Sequence, residues 1–131
     1  MKTRSEKMKF IKEPTNTITH FIGFCLGIVG LIVLLFKSLN PINPVNIAAS
    51  LIYGLSLIAL YFSSTIYHAI NVNEKVTYHL KKLDHSMIYV LIAGTYTPVC
   101  LITLKGALGY WLMGIIWSLA VLGIIRSEEH T

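Results

Sequence analysis

The chain has 131 residues, of which 54% are hydrophobic and only 13% charged, and its mean hydropathy is +0.65. A soluble domain averages about 25% charged residues, so this composition excludes an ordinary soluble domain and indicates an integral membrane protein. The net charge of +5 does not indicate a nucleic-acid partner, because the basic residues lie at the N-terminus and between apolar segments, where they set membrane topology.

A polar arm, residues 1–16, opens the chain and carries five basic residues. This arm is predicted to lie in the lipid interface as a short amphipathic stretch, with Met8, Phe10 and Ile11 as its apolar residues. Pro14 suits the first turn of a helix. The apolar run that follows is too long for the hydrophobic part of a signal peptide, about 7–15 residues, so we interpret it as a retained first span.

Four apolar segments follow, and we expect each to cross the roughly 30 Å hydrocarbon layer as a helix. They cover residues 17–36, 45–67, 84–104 and 108–125, to within a few positions. On the second segment the polar or small residues recur at helical spacing and should face other helices. These residues are Ser50, Gly54, Tyr61, Ser64 and His68. Pro98 predicts a kink in the third segment. The sequence thus predicts an all-α transmembrane fold.

The connections between the apolar segments are alternately poor and rich in basic residues. The first connection carries Lys37 and the third Lys105, whereas the second carries Lys75, Lys81 and Lys82. Because cytoplasmic loops are rich in Lys and Arg, the N-terminal arm and the second connection should both be cytoplasmic.

The last six residues, 126–131, change abruptly from apolar to polar. One codon string that encodes them, AGATCGGAAGAGCACACG, is the start of a common sequencing-library adapter. We interpret these residues as an artefactual tail and exclude them from the predicted fold. The alternative is a short cytoplasmic tail.

The residues best suited to chemistry flank the second connection, which we predict to be a polar loop over residues 69–83. Ser64 and His68 share a helix face, and Asp84 opens the third span. One interpretation is a metal site, with His68 as ligand, Asp84 as ligand or holder of a metal-bound water, and Ser64 as a supporting donor. The other is a hydrogen-bonded helix junction, since one histidine and one aspartate are fewer than the three or four protein ligands of zinc.

A second polar set lies at the start of the first span. It consists of Glu13, Asn16 and His20. Asn16 and His20 share a helix face, and His20, about one turn inside the span on the cytoplasmic side, could approach the same cluster. The alternative is a capped helix start in which the histidine bonds to a neighbour. Cys25 and Cys100 lie in apolar runs, where we expect packing rather than metal binding.

Four blocks of this sequence resemble the hemolysin III branch of the progestin-and-adipoQ-receptor (PAQR) family. The blocks span residues 13–20, 63–68, 82–86 and 92–98. The resemblance implies a seven-helix membrane bundle with a cytoplasmic N-terminus, of which this chain carries four helices. It also implies a Zn2+ site near the inner face, with His68 as a metal ligand, Ser64 as the serine of the same element and Asp84 holding a zinc-bound water.

The chain departs from that pattern in one respect. The family's remaining zinc histidines form an H-x-x-x-H pair on the last helix, and this sequence has no such pair. The resemblance therefore implies half of a zinc site. It implies as partners the membrane lipids and the missing C-terminal helices of the same protein.

Three functions follow from these expectations. The first is a hemolysin III-like protein of the cell membrane, associated by its family name with cytolysis and pore formation and linked to membrane homeostasis. The second is a zinc-dependent intramembrane hydrolase of lipid amides, similar to ceramidases, with Asp84 and Ser64 as catalytic residues. The third is a structural or receptor-like membrane protein.

Overall fold

The computed structural model describes residues 13–70 and 73–129, and this part of the chain is helical. Helix α1 spans Pro14–Leu39, α2 spans Pro44–Ala69, α3 spans Glu74–Pro98 and α4 spans Gly106–Glu129. A π-helical segment, Val99–Leu104, continues α3. All four helices are long and apolar enough to cross a membrane, which confirms the predicted fold class. The predicted interfacial arm before Glu13 lies outside the described residues.

Local sequence signals start the helices. Pro14 and Pro44 occupy the first turns of α1 and α2, where a missing N–H costs no hydrogen bond. The Asn43 side chain caps α2 by accepting hydrogen bonds from the backbone N–H of Val45 at 3.1 Å and of Asn46 at 3.2 Å. These caps leave only a short connection between α1 and α2, so the two helices pack side by side and antiparallel.

Helix α3 begins earlier than the sequence predicts. The Asn73 side chain accepts a hydrogen bond from the backbone N–H of Val76 at 2.9 Å, and Glu74 lies in the first turn. Both features stabilise a helix N-terminus, so the predicted polar loop over 69–83 is wrong for Glu74 onward. Asp84 consequently lies in the third turn of α3 rather than at its start.

Small residues allow α1 and α2 to approach closely. A Cβ atom added at Gly23 would lie 2.6 Å from the Tyr61 ring, and one added at Gly54 would lie 2.5 Å from Leu31. Gly30, by contrast, has no side chain or neighbouring backbone of the described part of the chain within 4 Å of that position. The polar stripe predicted on α2 therefore faces α1 through Gly54 and Tyr61, as expected of small and polar residues in a membrane bundle.

The third and fourth helices are joined by a partly buried polar contact. Trp117 donates its indole N–H to the Thr97 hydroxyl at 3.0 Å, and Thr97 donates in turn to the Ala93 carbonyl at 2.8 Å. After Pro98 the chain continues as the π-helical segment, in which the carbonyl of the buried Cys100 accepts from the Lys105 N–H at 3.2 Å. The helix therefore continues past the predicted kink with a changed hydrogen-bond pattern.

Candidate functional site

The start of α1 and the end of α2 are joined by two hydrogen bonds between the same two residues. Nδ1 of His68 donates to Oε2 of Glu13 at 2.7 Å, and the backbone N–H of Glu13 donates to the His68 carbonyl at 2.9 Å. The two side chains are 16% exposed for His68 and 40% for Glu13, so the contact lies at the edge of the bundle. This pairing places the N-terminal end of α1 beside the α2–α3 connection, as the alternation of basic residues predicts.

Two further residues of α1 complete this cluster. Asn16 donates its side-chain amide to the same Oε2 of Glu13 at 2.6 Å, and its backbone carbonyl accepts from Nδ1 of His20 at 2.6 Å. The rings of His20 and His68 are stacked, with centroids 5.2 Å apart and planes 14° apart. The polar residues at the start of α1 thus approach His68. The alternative interpretation, in which His20 bonds to a neighbour on its own helix, is also correct. We call Glu13, Asn16, His20 and His68 the imidazole cluster.

Hydroxyl groups line the adjoining contact between α2 and α3. Gly94 of α3 lies against Ser56 of α2. Ser86 lies eight residues before Gly94, and Ser64 lies eight residues after Ser56, so both are nearer to the α2–α3 connection. Antiparallel helices keep such positions level, so Ser86 and Ser64 lie at the same depth. Both are buried, at 4% and 5% exposure. Among the residues that the structure describes, none is a hydrogen-bond partner of the Ser86 hydroxyl, so this polar atom is unsatisfied at this depth.

Asp84 lies near this depth but outside the imidazole cluster. The Gly94–Ser56 crossing also places Asp84 level with Ile66 of α2. Ile66 lies about half a helical turn from His68, so Asp84 is displaced from His68 by that distance along the bundle axis. Within residues 13–70 and 73–129 its carboxylate makes no side-chain hydrogen bond or ion pair. The structure therefore brings His68 to Glu13 and His20, but it joins neither Asp84 nor Ser64 to His68 by a bond.

A complete metal site is not formed by these residues. Among the described residues, no group of three or more His, Cys, Asp or Glu side chains could hold a metal ion. His68 nevertheless has a feature of metal-ligating histidines, because such a histidine donates its other ring N–H to a carboxylate or carbonyl. The described residues therefore provide one oriented histidine that suits a metal ion, and they do not provide the three or four ligands of a zinc site.

The two histidines of α3 are set apart from the imidazole cluster. Nδ1 of His85 donates to the Lys81 carbonyl at 2.7 Å on its own helix. His79 is exposed and its ring lies edge-on to Tyr78. Neither contact brings a further imidazole toward His68.

Sequence reasoning missed two features of this site. The pairing of Glu13 with His68 joins residues 55 positions apart, and no local spacing signals it. Ser86 was overlooked although it follows Asp84 by two residues, and its signal is a polar side chain on the buried face of α3.

Four apolar helices with a polar cluster at one end define a multi-pass α-helical membrane protein. The sequence model of the family described as "Haemolysin-III related" matches residues 8–128, and the chain belongs to this family. It is 47% identical over 126 residues to Hemolysin-3 of Bacillus cereus, covering 92% of this chain and 57% of that protein. It is 46% identical over 114 residues to the Hemolysin-3 homolog of Bacillus subtilis (strain 168), covering 87% of this chain and 53% of that protein.

The chain therefore spans about half the length of the curated relatives it matches. No solved structure matches it.

Proposed function

We propose that this chain acts, within a longer haemolysin III-type protein, as the membrane-embedded part that alters the permeability of the cell membrane. The observation that carries the proposal is the outward placement of large apolar side chains along the helices. Leu26, Ile32 and Phe36 on α1 and Leu119 and Leu122 on α4 are each about 60% exposed or more. Faces of this kind suit contact with lipid or with further helices, which a bilayer-perturbing assembly requires.

The names of the two Bacillus relatives support the same direction, because both are called hemolysins. Tyr110 and Trp111 at the start of α4 are 66% and 73% exposed, as expected of aromatic residues at a membrane interface. These features are consistent with a cell-membrane location.

A leakage assay with reconstituted protein tests this proposal. Full-length protein in liposomes loaded with a self-quenched dye should release the dye, whereas liposomes that carry an unrelated multi-pass protein at the same density should retain it. Absence of leakage across lipid compositions, from protein shown to be inserted, would overturn the permeabilising function and leave family membership unaffected.

We also propose that His68 and Asp84 contribute to a Zn2+ site whose other ligands lie outside this chain. The support is the Glu13 carboxylate bound to Nδ1 of His68, together with the position of Asp84 half a turn away along the bundle. Zinc would act there as a Lewis acid or as a structural tie. The zinc-dependent hydrolase of lipid amides depends on this site being complete, and no contact of the described residues favours it specifically.

Metal analysis tests the zinc proposal separately from leakage. Purified full-length protein should carry about one zinc ion per chain, because a protein zinc site binds a single ion. His68→Ala should remove it, and His79→Ala, a change at an exposed histidine of the same region, should not. Metal-free wild-type protein, or equal zinc in both variants, would overturn the proposal.

A further inference from the structure

Residue 13 lies just before α1 and contacts residue 68 in two independent ways. Its backbone N–H bonds to the His68 carbonyl, and its carboxylate bonds to the His68 ring. The backbone bond fixes where the chain enters α1 relative to the end of α2. The carboxylate bond fixes the imidazole.

The carboxylate determines which ring nitrogen of His68 carries a hydrogen. An ionised carboxylate can only accept a hydrogen bond, so Nδ1 of His68 must be the donor. In the neutral imidazole the other nitrogen, Nε2, then carries the lone pair. The contact with Glu13 therefore selects the one tautomer of His68 that can offer Nε2 to an electrophile or a metal ion.

Asn16 orients the carboxylate that makes this selection. Its side-chain amide donates to Oε2 of Glu13, the same oxygen that accepts from His68. Two donors on one oxygen hold that oxygen toward the ring. Asn16 also accepts from His20 through its backbone carbonyl, so the tautomer of His20 is set independently of Glu13.

We propose that Glu13 is a positioning residue that holds His68 as its Nδ1–H tautomer and thereby keeps the ring lone pair on Nε2, with Asn16 orienting the carboxylate. This inference adds a positioning residue to the proposed zinc site, and it rests on that proposal for the statement that Nε2 binds zinc. Its statement about the tautomer stands on the hydrogen bonds alone. It assigns to the start of α1 a role in preparing a ligand that lies on another helix.

The competing interpretation gives Glu13 a purely structural role, as a tie between α1 and α2. That role would lower the stability of a Glu13 variant without a selective change at the His68 ring. The two interpretations separate when the ring tautomer is observed directly.

The experiment is solid-state NMR of the full-length protein in lipid bilayers, with 13C- and 15N-labelled histidine and at a pH where the imidazoles are neutral. The ring shifts of His68 should report the Nδ1–H tautomer in the wild type. Glu13→Ala should shift His68 to a mixture of tautomers, because no fixed acceptor remains. Glu13→Gln should retain the wild-type tautomer, because its amide keeps an oxygen acceptor that Asn16 can orient.

Two controls make the readout specific. Glu74→Ala removes an exposed carboxylate at the start of α3 and should leave the His68 shifts unchanged. The His20 ring should keep its shifts in Glu13→Ala, because its acceptor is a backbone carbonyl. The Nε2–H tautomer at His68 in the wild type, or an unchanged His68 in Glu13→Ala, would overturn the proposal.

Zinc titration of the full-length protein distinguishes failure of this inference from failure of the proposed site. If both are right, Glu13→Ala should weaken zinc binding about 10–100-fold, the usual effect of removing a carboxylate behind a ligating histidine. Equal zinc affinity in wild type and Glu13→Ala would overturn the positioning role. No zinc binding in any form would overturn the zinc site, and the tautomer measurement would still decide the role of Glu13.

Discussion

Gly94 of α3 lies directly against the side chain of Ser56 on α2. A Cβ atom at residue 94 would lie 2.7 Å from Cβ of Ser56, closer still to its hydroxyl oxygen, and 3.4 Å from the Ile52 carbonyl oxygen. The Ser56 hydroxyl is itself fixed, because it donates to that carbonyl at 2.6 Å. This crossing sets the register of α2 and α3, and therefore the depth of Ser64, Ser86 and Asp84.

Gly94→Ala should destabilise the fold by about 1–3 kcal/mol, the usual cost of inserting a methyl group into a packed contact. The neighbouring atoms are backbone and a bonded hydroxyl, so neither can move aside without loss. Gly30→Ala is the matched control, since residue 30 has open space around it in another membrane-length helix. Thermal unfolding in detergent measures both. Equal melting temperatures for the two variants would contradict the close crossing.

Ser86→Ala should leave stability unchanged or raise it. The Ser86 hydroxyl is buried with no partner within residues 13–70 and 73–129, and an unsatisfied buried polar group costs about 1–3 kcal/mol. Ser56→Ala, by comparison, should be destabilising because it removes a made hydrogen bond. Chemical denaturation of both variants provides the test. A clear loss of stability in Ser86→Ala would mean that its hydroxyl has a partner in the membrane-inserted protein.

Trp117 and Thr97 should be energetically coupled. A double-mutant cycle with Trp117→Phe and Thr97→Val removes the 3.0 Å hydrogen bond from either side. Interhelical hydrogen bonds in membrane proteins are worth about 0.6 kcal/mol on average and up to about 1.7 kcal/mol, so the coupling energy should fall in this range. The measurement is the free energy of unfolding of the four proteins. Strict additivity would show that the bond contributes nothing.

The helices could be predicted because hydropathy and length are sufficient to identify a membrane-spanning segment. The start of α3 was missed because its first turns are polar, and a hydropathy argument treats polar residues as loop. Asn73 followed by Glu74 is nevertheless a capping signal that was present in the sequence. Local hydrogen-bonding chemistry, and not apolar content, decides where this helix begins.

The site could be predicted only in part, because some of its residues lie on one helix and others meet only when two helices pack together. Ser64 and His68 follow from spacing on one helix. The bond between Glu13 and His68 depends on the relative register of α1 and α2, and that register follows from contacts such as Gly23 with Tyr61 rather than from any local pattern. The position of Asp84 depended on the missed helix start.

Opposite ends of α3 should be accessible from opposite sides of the membrane. The helical stretch from Glu74 to Leu104 has 31 residues, and at about 1.5 Å per residue it exceeds the roughly 30 Å hydrocarbon layer by about ten residues. We expect the surplus to be the polar turns before Asp84, projecting into the cytoplasm, because Lys75, Lys81 and Lys82 lie there.

Cysteine labelling in cells tests this topology. Lys75→Cys should react with a membrane-impermeant maleimide only after the cells are permeabilised, whereas Ala107→Cys, at the start of α4, should react in intact cells. Both positions are exposed, so lack of reaction cannot be attributed to burial. Labelling of both from the same side would show that α3 does not span the bilayer. Reversed accessibility would place the imidazole cluster at the outer face, where a cytoplasmic ligand or substrate could not reach His68.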